Sequence, residues 1–370
     1  MNSDITKLDD NPFTPLFGIM PPIIVGRNSV LDRVSAALAS SAASPELCSI
    51  FTGVRGSGKT TMLKYLASQA EMNGWIAVST VASPGMLEDL LERARSASAH
   101  LINAESSKHL TGINFSPIGG VSWDNSQSPK GNWRTEITNL LEQLEDHDIG
   151  LLFIVDEVNR TQEEMVQLTT VFQMLLGEGR KVALLMAGLP FAISALLSGK
   201  TTSFLRRAQK FTLGPLNDYD VKDALLQTIQ NGGKRISNDA LQLATKNIHG
   251  FPYLFQLIGF RSWNASGSKT EISVEDVVNG TFLANEEMNE RIFESTISEL
   301  SDGDLEFLGA MNMQKPQTLR AEIAEKLNRP SAWISRYKKR LIEAGVIDER
   351  RKGTYEFTLP GFSEYLKNRF

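Results

Sequence analysis

The sequence contains one cysteine, Cys48, in 370 residues. An internal disulfide is therefore excluded, and a reducing, cytoplasmic setting is expected. No run approaches the ~18 uninterrupted apolar residues of a membrane span, so no membrane partner is expected. The opening MNSDITKLDD lacks a basic segment followed by an apolar one, so it does not read as a signal peptide. Charge of one sign is missing too: 38 basic residues face 43 acidic ones, for a net charge of −5. A uniformly basic nucleic-acid coat is excluded, whereas a local basic patch is not. Internal repeats and low-complexity runs are absent. What is present is 41% hydrophobic and 22% charged, which excludes disordered and collagen-like chains. At about 150 residues per domain, the length suggests two or three domains.

Residues 1–20 read as a mobile lead-in, polar and then rich in proline (Pro12, Pro15). Beyond it, short apolar runs alternate with helix-length amphipathic segments. The runs are 47–53, 75–82, 150–157 and 181–188, with 207–216 as a last edge strand. Continuous apolar strands separated by helices point to a parallel sheet covered on both faces, an α/β class. The Ser-, Gly- and Asn-rich stretch 104–133 reads as an insertion with a hairpin across Pro117–Gly120, before a helix at 133–146. After Pro215 the strand signals stop, and 218–300 reads as helices, with a long one within 274–300. The expected organisation is an α/β nucleotide-binding domain at 21–216, an all-α lid with a linker helix at 217–300, and a separate unit at 301–370.

Gly53-Val54-Arg55-Gly56-Ser57-Gly58-Lys59-Thr60 fits G-x-x-x-x-G-K-[ST] in full, between an apolar strand and a helix. Glycines let consecutive backbone N–H groups turn inward around phosphates. The helix N-terminus adds partial positive charge. Lys59 is the residue type that meets β/γ-phosphates, and Thr60 offers a hydroxyl to Mg²⁺. The candidate nucleotide-binding set extends through Thr61. Leu151–Val155 then reads as a buried strand ending in Asp156 and Glu157. At that tip Asp156 would hold the Mg²⁺ shell and Glu157 would polarise the attacking water. The expected cofactors are ATP or ADP with Mg²⁺. No N-K-x-D guanine-reading motif and no LSGGQ-like signature occur.

With Ile24-Val25-Gly26-Arg27, Phe204-Leu205-Arg206-Arg207, Gly214-Pro215-Leu216 and Gly250-Phe251-Pro252-Tyr253 added in order, the chain resembles AAA+ ATPases of the origin-recognition and initiator-like branch, close to the archaeal-type ATPases. The resemblance implies that Val25, Gly26 and Arg27 lie against adenine. It implies an arginine finger at Arg207 or Arg206, completing a neighbour's site in an ATP-dependent self-association; two solvated arginines at a helix end are the plain alternative. Two features depart from hydrolysing relatives. The tip of the fourth strand, Met186-Ala187-Gly188, has no polar sensor. The lid turn carries Pro252 where relatives with a second sensor place arginine, a G-x-P that resembles the STAND signalling ATPases.

Residues 301–370 read as helix, helix, helix, hairpin, helix: a helix-turn-helix with a wing turning at Lys352-Gly353. Arg329 to Lys352 carries eight basic and three acidic residues, a local +5 in an acidic chain. Ser331, Ser335, Arg336, Lys339 and Arg340 are candidates for a DNA-facing third helix, and Arg350, Arg351 and Lys352 for the wing. Winged helices also serve as protein-contact modules, so a protein partner stays open. The functional expectation is an ATPase acting as a nucleotide-controlled DNA-binding or loading factor. The alternatives are a STAND-like switch whose winged helix makes protein contacts, and a non-hydrolysing scaffold.

Overall fold

The structure, a computed structural model, describes residues 11–16, 18–40, 44–109, 132–158, 163–199, 202–311 and 315–369; the side chains of 100–109 and of Arg350 lie outside that description. The first half runs α1 (Asn28–Ala39), β1 (Cys48–Thr52), α2 (Lys59–Met72), β2 (Trp75–Val81), α3 (Met86–His109), α4 (Trp133–Glu145), β3 (Gly150–Asp156), α5 (Glu163–Gly177), β4 (Val182–Gly188), α6 (Pro190–Leu197) and β5 (Gln209–Thr212). The five strands form one all-parallel sheet in the order β2-β3-β4-β1-β5. The expected edge strand is there, trimmed to four residues.

Pleating sends alternate residues to opposite faces, and helices cover both. Ile50, Leu151, Phe153 and Val155 pack beneath α3, α4, α5 and α6. Phe51, Leu152 and Ile154 pack beneath α1 and α2. That double burial is why the strands read as uninterrupted apolar runs. The buried indoles keep their hydrogen bonds: Trp75 donates to the Leu38 carbonyl at 2.7 Å and Trp133 to that of Leu87 at 2.8 Å.

The second half runs α7 (Asp218–Asn231), β6 (Arg235–Ile236), α8 (Asn238–Ile248), α9 (Pro252–Ser266), β7 (Glu271–Ile272), α10 (Val274–Met288), α11 (Glu294–Ser298), α12 (Asp302–Ala310), β8 (Thr318–Leu319), α13 (Arg320–Leu327), α14 (Ser331–Glu343), β9 (Ile347–Arg351), β10 (Thr354–Phe357) and α15 (Phe362–Lys367). The 218–300 stretch is helical as expected, except that β6 and β7 form a two-residue parallel pair. The expected long helix within 274–300 runs unbroken from Val274 to Ser298, with a π-helical turn at Asn289–Phe293. From α12 onward come four helices, α12 to α15, and a three-stranded antiparallel sheet in the order β8-β10-β9, with a two-residue turn at Lys352-Gly353. This region and the helices before it share one apolar cluster, joined where the Phe293 and Phe362 rings lie 5.1 Å apart.

Two expectations change. The lead-in is not mobile over 11–16. Phe13 is 2% exposed and packs on Phe255, while the Asn11 amide donates to the Phe260 carbonyl at 3.0 Å. Gly259 makes room, since a Cβ there would stand 2.3 Å from the Phe13 ring. Helix α3 continues through His109, so the expected insertion begins after that residue; its proposed hairpin at Pro117–Gly120 lies outside the described residues.

Candidate functional site

All five strands end on one side of the sheet, and the ends of β1, β2 and β3 help to build a cavity of about 520 Å³. The turn after β1 is the glycine loop. Gly56 and Gly58 have φ of +74° and +90°, a region that side chains disfavour. A Cβ on Gly56 would also stand 2.4 Å from the Phe251 ring, so the turn before α9 packs directly on the loop. The Lys59 ammonium donates to the carbonyls of Gly53 at 2.9 Å and Val54 at 2.8 Å. Burial lowers its pKa to about 8, opposed by the Asp156 and Glu157 carboxylates. A cation so placed is poorly solvated and suited to an incoming polyanion.

The Thr60 hydroxyl donates to Asp156 Oδ2 at 2.5 Å, and Asp156 Oδ1 accepts the Glu157 N–H at 2.8 Å. Two hard oxygen donors therefore meet below the loop, which suits Mg²⁺, a cation that takes few protein ligands and completes its shell with water and phosphate. Among the described residues no cluster of three or more His, Cys, Asp or Glu side chains forms an all-protein metal cage. Glu157 has φ +51°, an unfavourable backbone for a non-glycine residue, costing about 1 kcal/mol. The next residue fixes that turn, with the Val158 N–H on the Ala187 carbonyl at 2.8 Å.

The other end of the cavity is largely apolar, apart from Lys64, whose ammonium donates to the Gly18 carbonyl. Pro15, Ile19, Ile23, Ile24 and Val25 line it beside Phe255, with Thr14 and Gln256 among them. Val25 and Arg27 are therefore in the wall, while Gly26 acts from behind it. Arg27 donates to the Gly214 carbonyl at 2.5 Å and faces Asp220, so it clasps the β5–α7 connection. Pro252 is the first residue of α9 and flanks Gly58. Thr61 lines the cavity wall too. Sequence reasoning missed Thr14 and Gln256: no local pattern relates residues 242 apart.

Residues 27–188 match the KAP family P-loop domain, and residues 290–366 match a domain of unknown function (DUF8462). No curated protein matches the sequence. Among solved structures, the Aeropyrum pernix ORC2 protein, in ADPNP–ADP complexes, superposes with a TM-score of 0.63 at 14% identity, covering 96% of each chain. A Walker-type ATPase of Pyrococcus abyssi gives 0.67 at 14% identity, covering 93% of this chain and 96% of that one. The fold is that of a P-loop NTPase and is similar to that of the ORC2 protein. The expected α/β P-loop NTPase fold with a parallel sheet, followed by a helical region, is thereby met. No helix among the described residues is long and apolar enough to cross a membrane.

Within that fold the arginine candidates separate. Arg206 donates Nε to the Leu197 carbonyl at 3.0 Å, capping α6. Arg207 is exposed on the same 3-10 turn. The tip of β4 is apolar as read, with Met186 and Ala187 fully buried.

The basic stretch of the C-terminal region is largely spent on internal pairs. Arg329 meets Glu306, Lys338 meets Glu349 and Lys339 meets Glu343. Arg340 is exposed on α14, and its guanidinium reaches across to α12 to grip Asp304, which is 0% exposed, at 2.8–3.2 Å. Ser331 and Ser335 likewise accept from Arg320, at 2.8 and 3.1 Å. Arg320 was not read from the sequence; it braces the start of α14 against the wing, its N–H on the Gly353 carbonyl at 2.8 Å. Arg336 lies over the Tyr337 ring, and Arg351 and Lys352 are exposed. Among the described residues, these three have no carboxylate partner within ion-pair range.

Proposed function

We propose that the chain binds ATP with Mg²⁺ in this cavity and hydrolyses it to ADP and phosphate. The observation that carries the reading is the Thr60–Asp156 bridge lying under a glycine loop that holds Lys59, with Glu157 at the same strand tip. Phosphates would displace the loop carbonyls from Lys59. Thr60 and Asp156 would hold Mg²⁺, which supplies charge neutralisation at the phosphates. Glu157 orients a water and accepts its proton; it is the free carboxylate, since Asp156 is committed to Thr60. Arg207, not Arg206, is the group left to complete a neighbour's site in a self-associated form. Turnover is slow, because β4 presents no polar side chain at its tip. Glu157→Gln keeps the shape and loses the base. Single-turnover hydrolysis should fall about 100-fold while ATP affinity holds; equal single-turnover rates would remove Glu157 from this role.

The reading extends to the organisation of the chain: a nucleotide-binding domain at 21–216, a lid to about 300, and a winged helix at 301–370 that contacts duplex DNA under nucleotide control. The three helices followed by a hairpin, with Arg336, Arg351 and Lys352 unspent, support it. A second reading rests on a separate observation. The C-terminal region docks on the ATPase with Leu189 against Gly345, next to the end of the lid, where Glu299 lies 3.8 Å from Arg55 of the glycine loop. A cavity of about 660 Å³ lies between them. This packing favours a switch in which nucleotide exchange and release of the C-terminal region are coupled.

A further inference from the structure

The glycine loop carries Gly53, Gly56 and Gly58, and glycine loses more conformational freedom on folding than any other residue. Such a loop keeps one shape toward phosphates only when its backbone is held from behind. The lid meets it at Val54 and at Gly56. The Val54 side chain packs on the lid's apolar cluster, to which Phe251 belongs. The tip of the Phe251 ring points at Gly56: a Cβ there would stand 2.4 Å from Cζ and 3.0 and 3.2 Å from the two Cε atoms. Between these contacts lies the turn that places Lys59. The Val54 carbonyl accepts the Lys59 ammonium at 2.8 Å and the Ser57 N–H at 3.3 Å.

The ring itself is pinned. Phe251 is 6% exposed, within the cluster that also holds Leu216, Ile248 and Leu254. Its N–H donates to the Ile248 carbonyl at 2.9 Å, and its carbonyl accepts the Phe255 N–H at 3.0 Å as α9 begins. Gly250, just before it, lies against the β5–α7 connection. A Cβ on Gly250 would stand 2.3 Å from the Leu216 carbonyl oxygen, and the Leu216 N–H donates to the Gly250 carbonyl at 2.7 Å. In a close-packed interior the ring cannot retreat unless the start of α9 moves with it.

We infer that Phe251 is a positioning residue for phosphate binding: its ring backs Gly56, so that the placement of the lid sets the shape of the glycine loop. Phe251 lines the 660 Å³ cavity behind the loop and not the nucleotide cavity; it acts through Gly56. A loop held in its binding shape spares the ligand the cost of ordering it. This rests on the nucleotide reading of the smaller cavity and adds to it what keeps the phosphate end in register with the lid.

The test compares Mg²⁺ complexes of ATP and inorganic tripolyphosphate by calorimetry on the full chain. Phe251→Leu keeps most of the buried volume and loses the ring tip. It should weaken both ligands alike, about fivefold, because the loop meets phosphates only. Helix α9 also carries Tyr253, Phe255 and Gln256 into the apolar end of the cavity. A substitution that merely shifts α9 would therefore weaken ATP more than tripolyphosphate. Gly56→Ala sets a Cβ against the ring at a disfavoured φ and should weaken both ligands about 100-fold. Adding Phe251→Leu to Gly56→Ala should recover about tenfold, since room opens and only the φ strain stays. Losses that multiply in the double variant would show that the two residues do not act through their contact, and would overturn the proposal. A loss confined to ATP in Phe251→Leu, or no loss at all, would overturn it too. Where Gly56→Ala does not fold, the ratio of the two losses in Phe251→Leu decides. Wild type that binds neither ligand would instead remove the nucleotide reading itself.

Discussion

The glycine loop and helix α14 are both basic on paper, and the fold treats their cations in opposite ways. Lys59 is enclosed by carbonyls and keeps its charge unneutralised by any direct carboxylate contact. Along α14 and its flanks, Arg329, Lys338, Lys339 and Arg340 each find a carboxylate of their own. A cation held by dipoles is poised for an anion from outside. A cation held by a carboxylate has already made that exchange. Counting charge along a sequence treats the two alike; counting partners in space separates them. For Asp304 the pairing is also structural. Burial opposes ionisation, yet hydrogen bonds from Arg340 and from Ser301 keep its pKa below the usual carboxylate range.

The sharpest way to break the comparison is Lys59→Ala. If the enclosed ammonium is reserved for phosphate, ATP affinity should fall about 100-fold by calorimetry, a loss of about 2.7 kcal/mol. Unchanged affinity in a folded variant would mean that the loop is merely a turn. A pH series reads the same group more gently. The free Lys59 has a pKa of about 8, and bound phosphates raise it, so binding takes up a proton. Affinity is then full below pH 8 and is lost as pH rises through that value, by about tenfold between pH 7 and 9. A flat profile across that window would separate Lys59 from the phosphates.

The glycine loop was legible because its contacts close within eight residues: Lys59 reaches Gly53 and Val54, and no distant partner is needed. The strands were legible because helices on both faces demand apolar residues at every position, as in Leu151–Val155. Where partners are distant the reading failed. Polar, proline-bearing residues 11–16 look like a linker, and only Phe260 and Gln256, more than 240 residues away, show otherwise. A two-residue pair such as β6–β7 is too short to carry any periodicity. Arg340 is exposed as read, but nothing nearby reveals its partner Asp304, 36 residues earlier. The Gln256–Thr14 pair was invisible for the same reason.

The smallest effects belong to the cations that α14 and the wing leave unspent. Arg351 and Lys352 sit at the hairpin turn, exposed and without described carboxylate partners. If they meet phosphates of duplex DNA, Arg351→Ala with Lys352→Ala should weaken binding about fivefold at 150 mM salt for every sequence tested. The slope of log affinity against log salt should become shallower by about 1.8, since two phosphate contacts are lost. Arg340→Ala provides the contrast. It removes a charge of the same sign, but one spent on a buried carboxylate. The salt slope should stay within error of wild type, while denaturant unfolding of the region should ease by about 1–3 kcal/mol as Asp304 is left unpaired. A slope that shallows equally in both variants would show that Arg340 reaches DNA despite its partner. A slope that moves in neither, with duplex binding intact, would shift the contact away from the wing to Arg336 on α14 and Arg320 at the start of α13.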